Sequence, residues 1–224
     1  MPDVSALNQP PLTKAEIASI LTRCGLDASP RLVENIARYL SILQKWNSRI
    51  NLTGLTNASE VVRRHFAESF LAARYIDEQD SPILDIGSGA GFPGLAMKLY
   101  YPEATLYLLE ARKKRAAFLS TVRRELGLSQ LTILNKTLEE CQESDFYPSP
   151  PGLLTLRALG KVKALIQLGL TLAQPQARVL LFPTRRNLNE IQQQLPCIRW
   201  SPSVAIPWSR ERVIVLGSRV TGST

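Results

Sequence analysis

Residues 84–94 read Leu-Asp-Ile-Gly-Ser-Gly-Ala-Gly-Phe-Pro-Gly, an apolar run that gives way to a glycine-rich loop. The run begins at Ser81, and its length and apolar character predict a buried strand over residues 81–86. Glycines let the backbone approach a ligand closely, because no Cβ stands in the way. Ligands of open α/β sheets bind at the carboxyl ends of strands. The loop is therefore the first candidate for a binding site.

Strands and helices alternate on the C-terminal side of this loop. Further strands are predicted at 104–109, 131–134, 153–156 and 177–182, with a closing pair at 198–206 and 212–217. Helices are predicted at 94–101, 112–126, 162–173 and 187–195. This alternation predicts a mostly parallel sheet with helices on both faces.

Three helical patterns precede the first strand, at residues 12–24, 30–46 and 57–75. They predict an N-terminal helical appendage over residues 1–80, followed by an α/β domain over 81–224. The first twelve residues contain three prolines and little periodicity, and we expect them to form a loose lead-in.

Composition excludes several classes of protein. The 224 residues are 45% hydrophobic and 21% charged, an ordinary globular mixture. No apolar run approaches the roughly 18 residues of a membrane span, and the N-terminus lacks the features of a signal peptide. The three cysteines are far apart, which predicts no disulfide framework, no metal site and a reducing cytoplasmic location. The single histidine, His65, excludes zinc hydrolases that use several histidine ligands.

The formal net charge of +8 is concentrated in the last third of the chain. Residues 146–224 contain ten lysines and arginines but only two acidic residues, whereas residues 1–145 are balanced. Such asymmetry favours a polyanionic partner. Four cations at 112–115, at the start of a predicted helix, oppose the helix dipole and favour the same kind of partner.

Two cofactors fit the glycine loop. Residues 89–94 read Gly-x-Gly-x-x-Gly, and Glu110 follows about 20 residues further on, as in a dinucleotide fingerprint. Residues 87–91 read Gly-x-Gly-x-Gly directly after the strand that carries Asp85, a pattern typical of S-adenosylmethionine-binding enzymes. The Asp85 carboxylate would repel a pyrophosphate but attract the cationic methionyl amine. The sequence therefore favours S-adenosylmethionine, with Glu110 accepting hydrogen bonds from the ribose hydroxyls.

Several segments carry a resemblance to a known family. Residues 43–53 read Leu-x-Lys-Trp-Asn-x-x-Ile-Asn-Leu-Thr, residues 64–69 read Arg-His-Phe-x-Glu-Ser, and the glycine loop follows. Further segments are at 109–119, 138–140, 157–158 and 211–215. On these residues the chain resembles the bacterial small-subunit (16S) ribosomal RNA methyltransferase G family, also called glucose-inhibited division protein B. The family usually has Asp where Glu68 stands.

The resemblance implies a Rossmann-like S-adenosylmethionine-dependent methyltransferase sheet and methyl transfer to N7 of a guanine in 16S rRNA. It implies a cofactor site built from Gly87, Gly89, Phe92, Glu110, Ala111, Arg112, Leu138 and Glu139. It also implies that Arg157 faces both cofactor and target, which makes Arg157 the candidate catalytic residue. To these the local pattern adds Asp85 and Gly91. Guanine N7 has a free lone pair, so in-line transfer requires no general base.

The resemblance further implies 16S rRNA or the small ribosomal subunit as partner, and we expect a monomer with no membrane association. Two alternatives remain, a NAD-dependent oxidoreductase and a non-catalytic RNA-binding module on the same fold. His65 has no partner visible in the sequence for a role as general base, so a structural hydrogen bond beneath the target site explains it better. The candidate RNA-binding residues are Arg64, His65, Lys114, Arg115, Lys161, Lys163, Arg185 and Arg186.

Overall fold

The computed structural model describes residues 11–55, 57–157 and 160–220, and a single twisted sheet forms its centre. Five parallel strands make up most of the sheet: β1 (Ile83–Ile86), β2 (Leu106–Leu109), β3 (Leu131–Leu134), β4 (Leu153–Leu156) and β5 (Arg178–Leu181). Each lies within two residues of its predicted bounds. The mostly parallel sheet predicted from the alternation is therefore confirmed.

Three antiparallel strands close the sheet: β6 (Ile198–Trp200), β7 (Val204–Ala205) and β8 (Val213–Arg219). The strand order is β3-β2-β1-β4-β5-β8-β6, with β7 beside β8. The single strand predicted over 198–206 is wrong, because β6 and β7 pair with different parts of β8. Pro202 lies between them and cannot donate to a strand ladder, which explains the interruption.

Helices cover both faces of the sheet, as predicted. The helices between the strands are α5 (Gly94–Tyr100), α6 (Lys113–Glu125), α7 (Val162–Thr171) and α8 (Arg185–Gln194). Those before β1 are α1 (Lys14–Arg23), α2 (Pro30–Asn47), α3 (Ala58–Val61), a π-helix (Val62–Ala67) and α4 (Glu68–Ala73). Short 3₁₀ turns occur at Glu78–Asp80, Leu138–Glu140 and Glu143–Asp145. The predicted uninterrupted helix at 57–75 is thus divided by the π-helix.

The strand residues alternate between two apolar clusters, because successive side chains of a strand point to opposite faces. Ile83 belongs to the cluster beneath α1–α6, whereas Leu84 belongs to the cluster beneath α7 and α8. The helices before β1 share the first cluster with the sheet. The boundary at residue 80 between a helical appendage and an α/β domain therefore stays a prediction, and the lead-in at 1–10 lies outside the described residues.

The strand order reverses beside β1, which has β2 on one side and β4 on the other. In such sheets the loops that leave the two central strands diverge and form a crevice at the carboxyl edge. The glycine loop after β1 and Arg157 after β4 lie at this edge. Within the described ranges, no helix combines the length and the apolar composition required to cross a membrane.

Candidate functional site

The glycine loop adopts a backbone that favours glycine at three positions. Gly87, Gly89 and Gly91 have φ values of +72°, +56° and +83°. A Cβ at Gly87 would meet no heavy atom within 4 Å, so this part of the loop is open to a ligand. A Cβ at Gly91 would lie 2.2 Å from the Tyr39 hydroxyl, so this part is closed. The loop thus has one face toward the crevice and one toward the helices that precede β1, from α1 to α4, which we call the helical layer.

Tyr39, on α2, supports the closed face. Its buried hydroxyl donates to the Ala90 carbonyl at 2.6 Å, and its ring meets the edge of Phe66 with centroids 5.1 Å apart. A helix that precedes β1 by more than thirty residues therefore fixes the shape of the loop. Sequence reasoning assigned Tyr39 no role in the site.

Asp85 lies beneath the loop and is 1% exposed. Its Oδ2 accepts the Gly94 amide hydrogen at 3.0 Å, and a Cβ at Gly94 would come within 2.7 Å of that oxygen. Oδ1 is buried and has no hydrogen-bond partner among the described residues. Burial raises the pKa of Asp85 to about 7, although the Gly94 amide opposes this shift. The free oxygen can accept a hydrogen bond from a cationic group that enters the crevice.

Glu110 joins the loops that follow β1 and β2. Its Oε2 accepts the Gly89 amide hydrogen at 2.9 Å and its Oε1 accepts that of Arg112 at 2.8 Å. The Asn135 side chain, after β3, donates to the carbonyls of Glu110 and Ala111. Three neighbouring loops are therefore held in one arrangement around a carboxylate. Each carboxylate oxygen keeps a lone pair that can accept from a ligand hydroxyl.

The other residues predicted for the cofactor site flank these loops. Ala111 and Arg112 are exposed between β2 and α6, as is Glu139 in the 3₁₀ turn after β3, where Leu138 is buried. Phe92 is 6% exposed and packs inward, stacked on His65 with centroids 4.7 Å apart. The fold therefore brings all of them to one edge, with Phe92 beneath the loop.

Arg157 is held by the helical layer. Its guanidinium donates to Glu68 Oε2 at 2.5 Å and to the Arg64 carbonyl, and it lies 5.4 Å from the centroid of Phe182. Arg212 donates to the other oxygen of Glu68. Burial lowers the pKa of Arg157 to about 10 and raises the pKa of Glu68. A fully buried carboxylate thus bridges two arginines and fixes the guanidinium after β4.

Sequence reasoning missed Glu68 and Arg212 as site residues. Residues 66–73 read Phe-Ala-Glu-Ser-Phe-Leu-Ala-Ala, and Glu68 is the one charged residue in this apolar run. A carboxylate is rarely buried unless it is paired, so this run does signal an internal ion pair. Its partners could not be identified, because they lie 89 and 144 residues away in the chain.

The π-helix provides the attachment for these partners. Three consecutive carbonyls accept side-chain hydrogen bonds: that of Arg63 from Trp208 Nε1, that of Arg64 from Arg157 and that of His65 from Ser69. π-Helical turns are rare and occur frequently at functional sites. Here the turn joins the helical layer to the end of β4 and to the segment that precedes β8.

His65 is partly buried within this arrangement. Its Nε2 lies 3.2 Å from the Thr53 hydroxyl, and burial together with Arg157, Arg212 and Arg64 lowers its pKa well below 6.5. The imidazole is therefore neutral at pH 7. A neutral ring stacked on Phe92 suits the structural role better than a phosphate contact.

The remaining basic residues predicted to bind RNA lie in the segments that follow β2, β4 and β5. Lys114, Lys161, Lys163, Arg185 and Arg186 are exposed near the starts of α6, α7 and α8. Each of these helices follows a parallel strand, so its start lies at the carboxyl edge. Arg115 differs, because it donates to the Asn51 carbonyl at 3.2 Å and its Nη1 would lie 3.9 Å from a Cβ at Gly89.

Comparisons with known proteins agree with this geometry. The model of the GidB family, described as rRNA small subunit methyltransferase G, matches residues 32–201. The Ribosomal RNA small subunit methyltransferase G of Roseiflexus castenholzii is 36% identical over 165 residues, which are 74% of this chain and 70% of that protein. Its counterpart in Streptococcus gordonii is 30% identical over 184 residues, 81% and 78% of the two chains.

Solved structures share the fold. A SAM dependent methyltransferase from Aquifex aeolicus superposes with a TM-score of 0.55 at 16% identity, over 72% of this chain and 93% of that one. The precorrin-6y C5,15-methyltransferase of Geobacter metallireducens gives 0.53 at 12% identity, over 76% and 92%. At these identities the likeness extends to the fold alone.

Proposed function

This chain belongs to the GidB family of rRNA small subunit methyltransferase G proteins, and on that premise we propose that it transfers a methyl group from S-adenosylmethionine to N7 of a guanine in 16S rRNA. The observation that carries the proposal is the pairing of the open glycine loop with two carboxylates, Asp85 beneath it and Glu110 beside it. This pairing meets the needs of a cofactor that carries both an ammonium group and a ribose.

The chain's residues fit that cofactor in three places. The buried Oδ1 of Asp85 lacks a partner among the described residues and can accept from the ammonium group. Glu110 can accept from the ribose hydroxyls, and Ala111, Arg112, Leu138 and Glu139 flank the space for the adenine. When bound, S-adenosylmethionine supplies an electrophilic methyl group on a sulfonium centre. Gly87 and Gly89 keep the space beside the loop free of side chains.

The choice of N7 agrees with the chemistry of the nearby side chains. Guanine N7 presents a lone pair that needs no deprotonation, so the protein has only to position the base and exclude water. His65 is neutral and bonded to Thr53, and Arg157 is bonded to Glu68, so neither is arranged as a base. We propose that Arg157 faces the cofactor and the target and positions the guanine.

The basic side chains at the carboxyl edge support an RNA substrate. We propose that Arg64, Lys114, Arg115, Lys161, Lys163, Arg185 and Arg186 contact phosphates of the rRNA, in a cytoplasmic protein that acts as a monomer on the small subunit. A NAD-dependent oxidoreductase fits less well, because a buried carboxylate beneath the loop repels a pyrophosphate. A non-catalytic RNA-binding module would not need the open loop and the free Asp85 oxygen.

Label transfer tests the proposal. The purified protein is mixed with methyl-labelled S-adenosylmethionine and small ribosomal subunits from cells that lack this gene, and the digested RNA is analysed by mass spectrometry. We expect labelled 7-methylguanosine in 16S rRNA. Label in another nucleoside would overturn the N7 assignment. Absence of label together with absence of cofactor binding would overturn the whole proposal.

A further inference from the structure

A second pocket opens beside Glu68 at the same edge of the sheet. It has a volume of about 410 Å³ and lies between the π-helix and residues 208–212, which lead into β8. We call it the arginine pocket, because four arginines line it: Arg63, Arg64, Arg210 and Arg212. Glu211 is the one acidic residue in the lining.

Two of these arginines have no counter-ion in the described part of the chain. Arg63 pairs with Glu60 at 2.6 Å and Arg212 pairs with Glu68 at 2.5 Å. Arg64 and Arg210 make no salt bridge among the described residues. Arginines that line one cavity, two of them without a counter-ion among the described residues, favour an anion with several acceptor oxygens, and phosphate suits the fork of arginine donors.

The walls of the arginine pocket are fixed. Trp208 Nε1 donates to the Arg63 carbonyl at 3.0 Å, which holds the indole against the π-helix. The Arg212 amide donates to the Ser209 hydroxyl at 3.1 Å, and Arg212 forms an antiparallel bridge with Thr184. Because the pocket is anchored on three separate segments, it is preorganised, and a ligand would bind with only a small free-energy cost for ordering its walls.

The arginine pocket is coupled in space to the end of β4. Arg212, in its wall, and Arg157 bind the two oxygens of the same Glu68 carboxylate. Arg157 and Arg212 share this carboxylate, so a phosphate in the pocket would lie close to Arg157, the arginine that we propose positions the guanine. We propose that the arginine pocket binds a backbone phosphate of the rRNA close to the methyl-accepting nucleotide, an inference that rests on the proposed function.

Arg210→Gln tests this assignment, because Arg210 is exposed and its loss should not affect folding. We expect KM for unmodified small subunits to rise roughly fivefold, with kcat and the Kd for S-adenosylmethionine unchanged. The slope of log Kd for the subunits against log salt should fall by about one. Arg210→Lys keeps the charge and should preserve the slope.

Arg123→Gln is the matched control. It removes the same charge from the last turn of α6, away from the carboxyl edge. If Arg210→Gln behaves like Arg123→Gln while the wild-type protein methylates the subunits, the pocket assignment is wrong and the function stands. If the wild-type protein neither binds nor methylates the subunits, the proposed function fails and the phosphate assignment fails with it.

Discussion

Tyr39 donates its hydroxyl hydrogen to the carbonyl of Ala90 at 2.6 Å, across 51 residues of sequence. One residue belongs to a helix that precedes the sheet, and the other is part of the glycine loop. The helical layer therefore takes part in shaping the loop proposed to bind the cofactor.

Tyr39→Phe should weaken S-adenosylmethionine binding roughly fivefold, because the Ala90 carbonyl loses a buried hydrogen bond of about 1 kcal/mol and the loop loosens. Equilibrium binding measures the effect. Tyr107→Phe is the control, because the Tyr107 hydroxyl donates to the carbonyls of Tyr147 and Ser149, away from the glycine loop. Equal losses of affinity in both variants would show that Tyr39 acts through general stability.

Glu110→Gln should reduce cofactor affinity by at least about tenfold, because the amide offers one acceptor oxygen where the carboxylate offers two charged ones. The Gly89 and Arg112 amides compete for that oxygen. We expect circular dichroism to report a folded protein. Glu103→Gln, an exposed carboxylate after α5, should bind as the wild type does. Unchanged affinity in Glu110→Gln would contradict the ribose assignment.

Asp85 should make both stability and cofactor binding depend on pH. Its folded pKa is about 7, whereas its ordinary value is 3.8, so the folded chain holds the proton more tightly than the unfolded chain. The contribution of Asp85 to the free energy of unfolding therefore falls as pH rises from about 4 to 7.

Asp85→Asn removes this dependence. We expect the variant to gain stability relative to wild type as pH rises, by at most about 4 kcal/mol at pH 8. Cofactor binding should move the opposite way, since the ammonium group requires the ionised carboxylate, so wild-type affinity should rise with pH up to about 7. Denaturant titrations and binding isotherms at several pH values measure both. A pH-independent difference in stability would refute the proposed titration.

Glu68→Gln should destabilise the fold by about 3–5 kcal/mol, because two partly buried guanidiniums lose the fully buried carboxylate that they share. Urea denaturation measures the loss. Glu60→Gln breaks the partly exposed pair with Arg63 and should cost less than about 1 kcal/mol. Similar costs for the two substitutions would mean that the Glu68 cluster does not hold the helical layer to the sheet.

The strands were predictable because each is a short apolar run bounded by turn residues, and the glycine loop was predictable because its motif is local. Asp85 and Glu110 follow from that motif. Tyr39 and Arg212 could not be found in the same way, since their roles depend on contacts between distant segments. The lone charge of Glu68 indicates burial but not its partners.

The π-helix was unpredictable for a different reason. The side-chain pattern of residues 57–75 is that of an ordinary amphipathic helix. The carbonyls of Arg63 and Arg64 in the widened turn accept from Trp208 and Arg157, which lie 145 and 93 residues away in the chain. Local propensity therefore predicted a helical segment correctly but did not predict that a π-helix divides it.

The widened turn depends on the number of residues between Val62 and Ala67, so that number matters for function. Deleting one residue between Val62 and Ala67 would let the segment continue as a regular α-helix, with each residue advancing by about 100°. The helices on either side would keep almost the same rotational phase, because a π-helical turn holds about one more residue than an α-helical turn, but the Arg64 carbonyl would lose the widened turn that presents it to Arg157. The variant with one residue fewer would have a more regular helix but would lose the contact that holds Arg157. We therefore expect insertions and deletions between Val62 and Ala67 to reduce activity more than substitutions do, although the segment contains no glycine and no proposed catalytic residue.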